Sequence, residues 1–151
     1  MKKSLKNKLL LIGASLLLGV VYLSAPKPQA KRQNLSTNPS KDLQLNDGQK
    51  WEADMPARQY VRAMTLFMND FMKKENISYE EYKEAGETLR ASFNSIVTES
   101  KMKERAHEEL QKFLEKLNPD IDTLEKGSFE KVATAAKNIS RTLLLFKKYF
   151  K

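Results

Sequence analysis

From residue 54 onward, apolar residues recur at alternating steps of three and four, the period of an amphipathic helix. The first such stretch opens at Asp54, an N-cap residue, with Pro56 in the first turn, where a missing amide costs little. Its seam is Ala57, Val61, Met64, Met68 and Phe71, widened by Tyr60, Phe67 and Met72, and it is expected to end near Asn76. A second stretch starts at Ser78 with Glu81 three residues on, a capping box, and its seam is Tyr82, Ala85, Leu89, Phe93 and Ile96. A third runs from about Ser100 through Met102, Ala106, Leu110 and Phe113 to Leu117, where Asn118-Pro119 is expected to stop it.

The fourth is the most regular. After Gly127 and the N-cap candidate Ser128 come Phe129, Val132, Ala136, Ile139, Leu143, Phe146 and Phe150, a bundle seam of three heptads. Four stretches joined by short connections predict an all-α fold, an up-down four-helix bundle. Glu99 to Lys103 holds no Gly or Pro, so a three-helix arrangement, with the second and third stretches fused, is the alternative. Ahead of the helices, Leu43 to Trp51 alternates apolar and polar residues around Asn46-Asp47-Gly48, which predicts an extended segment with a turn. Trp51, the only tryptophan, is expected to plug one end of the helical core.

Leu9 to Ala25 is apolar without a period and follows a leader carrying Lys2, Lys3, Lys6 and Lys8. That layout predicts an export signal or signal anchor over residues 1–25. Pro26 follows the best peptidase site, Leu23-Ser24-Ala25, and Pro28 spoils the next one, which favours an uncleaved anchor with the C-terminal domain exported. Residues 26–41 are polar, hold three prolines, and read as a disordered linker to a helical domain at 42–151.

The formal net charge of +8 invites a nucleic-acid reading, but its distribution removes the invitation. Residues 1–41 hold eight Lys and Arg and no Asp or Glu, whereas from Asp42 onward there are nineteen of each sign. The excess therefore lies on leader and linker, where topology and anionic headgroups account for it. The expected partners are the membrane, through the N-terminal segment, and a protein at the membrane; no nucleic acid is expected.

There is no cysteine, which excludes disulfides, thiolate catalysis and covalent haem attachment. One histidine, no Gly-rich phosphate loop and no HExxH helix make an enzyme improbable. The charged clusters Glu80-Glu81-Glu84-Glu87 and Glu104-Glu108-Glu109 read as solvated helix faces. Two constellations remain. Met64, Met68 and Met72 stand four apart on one helix face, where thioethers suit Cu(I) but also fill cores. Met102 and His107, with Gln111 beside them, lie at the edge of the third seam and offer a Met and a His to a metal or a b-type haem. The candidate metal set is thus Met64, Met68, Met72, Met102 and His107, and copper or haem is the alternative to no cofactor.

Leu45-Asn46-Asp47-Gly48-Gln49-Lys50-Trp51, Ser100-Lys101-Met102-Lys103 and Ala106 to Leu114 resemble a group of small exported bacterial helical proteins. That group has an L-N-x-G-x-x-W start and a later C-x-M-x-G-x-A-H-x-x-L-H run. The resemblance implies a helical fold over about residue 43 to the C-terminus and, from its Cys, Met and His, soft-metal binding. Met102 and His107 are the counterparts kept here, while Ser100, Glu104 and Gln111 replace the Cys, the Gly and the second His. The reading from sequence is an exported, membrane-tethered, non-enzymatic binding or interaction protein, with a periplasmic soft-metal or haem carrier as the alternative.

Overall fold

The computed structural model describes residues 42–151; the expected signal or anchor and the linker lie outside the described residues. Four helices follow one another: α1 (Met55–Phe71), α2 (Tyr79–Glu99), α3 (Glu104–Lys126) and α4 (Phe129–Tyr149). Successive helices pack side by side and α4 closes back on α1, an up-down four-helix bundle. Ser100–Lys103 separates α2 from α3, so the three-helix alternative does not hold.

Local chemistry sets the boundaries. Asp54 caps α1, its Oδ1 accepting from the Ala57 amide at 3.1 Å, with Pro56 in the first turn. Ser78 and Glu81 form the reciprocal capping box of α2. The Ser78 amide, the Lys74 ammonium and the Ser78 hydroxyl hold the Glu81 carboxyl down to about 2. The buried residues of α1 are Ala57, Val61, Met64, Met68 and Phe71, the seam read from the period. In α2 the buried set is Ala85, Gly86, Leu89 and Ile96, with Tyr82 and Phe93 half-buried at its edges.

Two expectations along α3 and α4 are corrected. α3 does not stop at Asn118-Pro119: it continues to Lys126 with Pro119 inside it. A proline there forfeits one backbone hydrogen bond, but Ile121 and Leu124 extend the seam by steps of four and three, and both are fully buried. The Arg90 guanidinium also grips that turn from α2, donating to Asn118 Oδ1 at 2.7 Å, to Glu125 Oε2 at 3.0 Å and to Asp122 Oδ1. Phe129, the first seam residue expected in α4, is exposed and meets Tyr79 edge-on at 6.3 Å, because it lies beyond the end of the core.

The segment before α1 closes the other end of the bundle. Asp47 and Gly48 have φ of 49° and 85°, and Asn46 and Gln49 exchange backbone hydrogen bonds at 2.8 and 2.9 Å, a two-residue turn. Trp51 is buried, donates from Nε1 to the Gln44 carbonyl at 2.7 Å, and pairs in parallel with Phe150. Glu109 is buried too, which corrects its assignment to a solvated face. Its carboxylate accepts from the Gln44 amide at 2.8 Å and from Lys112 at 2.7 Å, tying this segment to α3.

Candidate functional site

The five candidate ligands fall into three environments. Met64 and Met68 are each 1 % exposed in the core, where their thioethers face seam side chains of the other helices. Met72 is half-buried at the C-terminal end of α1. Met102 is half-buried between α2 and α3, and His107 is exposed on the first turn of α3, its Nε2 3.2 Å from Gln111 Nε2. α1 spans 17 residues, about 25 Å. Met72 closes its C-terminal end, whereas the Asp54 end is the one that meets Ser100 and Lys101. The structure therefore does not bring Met72 together with Met102 and His107. Among the described residues there is no cluster of three or more His, Asp or Glu arranged to hold a metal.

The helices differ sharply in charge. α1 and α4 together carry seven Lys and Arg against two Asp and Glu, whereas α2 and α3 carry six against twelve. The balanced total from residue 42 onward is thus the sum of a cationic face, α1 with α4, and an acidic one, α2 with α3. On the acidic side the charges largely serve the fold, as in the Arg90, Asp122 and Glu125 network across α2 and α3.

On the cationic side they do not. A groove of about 480 Å³ runs between α1 and α4, with Val61, Leu143, Phe146 and Phe150 as its floor. Arg58 and Arg62 line its α1 flank, Lys147 and Lys151 its α4 flank, and no carboxylate lines it. Lys151 pairs with Glu52 at 2.9 Å; Arg58, Arg62 and Lys147 make no ion pair among the described residues. Arg58 and Arg62 stand at i and i+4 on α1, where like charges cost a helix about 0.2–0.5 kcal/mol instead of stabilising it, while Lys147 lies in the last turn of α4 and Lys151 just past its end. Packing α4 against α1 then brings the two pairs to one groove. Apart from the Lys151–Glu52 pair, no carboxylate of the described residues answers these cations, and an acidic ligand would.

The signal for this groove was present in the chain as Arg58-x-x-x-Arg62 and Lys147-x-x-x-Lys151. A segment-wise charge count hides it, because α1 and α4 lie apart in sequence and their excess cancels against α2 and α3. In three comparisons, no family model, no curated protein and no solved structure matches the chain.

Proposed function

We propose that the protein is an exported, membrane-tethered, non-enzymatic binding protein whose recognition surface is the α1–α4 face, and that this face takes an acidic ligand. The observation that carries the reading is the groove bounded by Arg58, Arg62, Lys147 and Lys151 with no carboxylate along it. Four cations over an apolar floor suit an anion that also presents apolar surface. The basic leader and the apolar run Leu9 to Ala25 support export and tethering.

Amine labelling in place tests it. A membrane-impermeant acylating reagent is applied to intact cells whose outer barrier has been opened, and to the purified chain, and lysine modification is read by mass spectrometry. Lys147, in the groove, is expected to label less in cells than in the purified protein, while Lys126, exposed at the far end of α3, labels equally in both. Equal labelling of Lys147 in both would sink the recognition face. Labelling of domain lysines only after the inner membrane is broken would sink export.

A further inference from the structure

We infer that the acidic ligand of the α1–α4 face is the surface of an anionic lipid bilayer, on which the bundle lies with headgroup phosphates between its two cationic ridges. This rests on the reading of α1–α4 as the recognition face and adds the identity of what it meets.

Three observations favour a bilayer over a small anion or an acidic peptide. First, the cations are spread along the face. On α4, Lys137, Arg141, Lys147 and Lys148 are all exposed, over about 16 Å of helix, and Arg58 and Arg62 stand across the groove from Lys147. A small anion needs a convergent cluster; a charged plane meets a row. Second, two leucines stand outward among these charges, Leu66 on α1 at 55 % exposure and Leu144 on α4 at 59 %. Arg62 precedes Leu66 by one turn, and Arg141 and Lys148 flank Leu144 at three and four residues. Apolar side chains bracketed by Lys and Arg on one face are the pattern of a helix lying in the headgroup layer, with the leucines in the acyl boundary and the cations at the phosphates. Third, α2 and α3 on the opposite side carry twelve acidic residues against six Lys and Arg, all of the acids but Glu109 outside the core, so an anionic surface repels that side and selects one orientation.

The chain before the bundle has the same preference, with eight Lys and Arg and no acid in residues 1–41. Each Lys or Arg near an anionic leaflet is worth roughly fivefold in partitioning, an attraction that fades within a Debye length. Docking on this face is therefore expected to follow the anionic lipid content and to weaken as salt rises.

The full chain is reconstituted into vesicles of phosphatidylcholine alone or of phosphatidylcholine with phosphatidylglycerol. Because the chain has no cysteine, single changes Leu66→Cys, Leu144→Cys and, on the acidic face, Glu87→Cys each give one site for an environment-sensitive dye. Residues 66 and 144 are expected to report an apolar setting, and quenching by a lipid-borne quencher, in the anionic vesicles alone, with position 87 in water throughout. In the background Arg62→Gln with Lys147→Gln, the docked-to-free ratio is expected to fall about 25-fold. Raising the salt in the unaltered background gives the same loss without any substitution. Aqueous signals at 66 and 144 in anionic vesicles overturn the proposal. So does an equal response in phosphatidylcholine alone, or one that both salt and the double change leave untouched. If the dyes stay in water while Lys147 is still shielded in cells, the acidic ligand is another molecule and only the bilayer assignment falls. If Lys147 is not shielded, the recognition face falls with it.

Discussion

Asp54 accepts a hydrogen bond from the backbone amide of Lys101 at 2.6 Å, across 47 residues of sequence. The same carboxylate caps α1 through Ala57 and accepts from the Ser100 hydroxyl at 3.0 Å. One side chain thus starts one helix and fixes the connection between two others.

Asp54 should accordingly control both stability and its pH dependence. Partial burial pushes its carboxyl up, but the Lys101 and Ala57 amides and the Ser100 hydroxyl outweigh this and hold it below the ordinary value. A carboxyl lowered in the folded state stabilises above its unfolded value, near pH 4, and that stability is lost as pH falls through the folded value. Asp54→Asn keeps a competent N-cap but loses the charge, and its amide presents donors where Lys101 and Ser100 need an acceptor. The expected loss at neutral pH is about 1–3 kcal/mol in denaturant titrations. Between pH 5 and 3 the gap between wild type and variant should narrow; a constant gap would show that the carboxylate charge is not what matters.

α2 and α3 approach closely at Gly86. A Cβ added there would stand 2.9 Å from the Glu125 amide nitrogen and 2.9 Å from Leu124 Cβ, and backbone has little freedom to give way. Alanine would improve helix propensity by about 1 kcal/mol, while overpacking costs typically 1–3 kcal/mol. Gly86→Ala is therefore expected to destabilise by about 1 kcal/mol, read as an earlier unfolding midpoint. An increase in stability would mean that α2 and α3 separate more easily than this packing implies.

The buried methionines are expected to act as core. Leu in place of Met roughly conserves volume and usually costs less than ~1.5 kcal/mol. Met64→Leu with Met68→Leu should leave the full chain cooperatively folded, and Cu(I) titration should not distinguish it from wild type. A stoichiometric Cu(I) step present in wild type and absent in the variant would return these residues to the ligand set.

The periodicity was enough to read the α1 seam residue by residue, because capping and amphipathic spacing act locally. It misplaced the end of α3 because the local rule against proline is weaker than the burial of Ile121 and Leu124 beyond it. The burial of Glu109 was not legible, since its partner Gln44 is 65 residues away and reaches it only once the bundle has formed. The cationic groove fails for the same reason. Arg58, Arg62, Lys147 and Lys151 become one feature only when α4 packs against α1, and no local window holds both pairs.

Glu104, where α3 begins, has φ of 52°, in the left-handed region that costs a side-chain-bearing residue about 1–2 kcal/mol and glycine almost nothing. Nothing among its neighbours compensates: the α3 N-cap residue Lys103 makes no side-chain capping bond, and Glu104 forms no ion pair among the described residues. Glycine is the residue that such a backbone admits without strain. Glu104→Gly should relieve the strain and lose part of the gain to the greater freedom of the unfolded chain, for a net stabilisation of about 0.5–1 kcal/mol. Glu104→Ala, which keeps the Cβ and removes only the carboxylate, separates backbone from charge. If the backbone is the cause, Gly raises the unfolding midpoint and Ala leaves it nearly unchanged. If both variants gain equally, the carboxylate was the source of the cost, and the turn into α3 tolerates its left-handed residue freely.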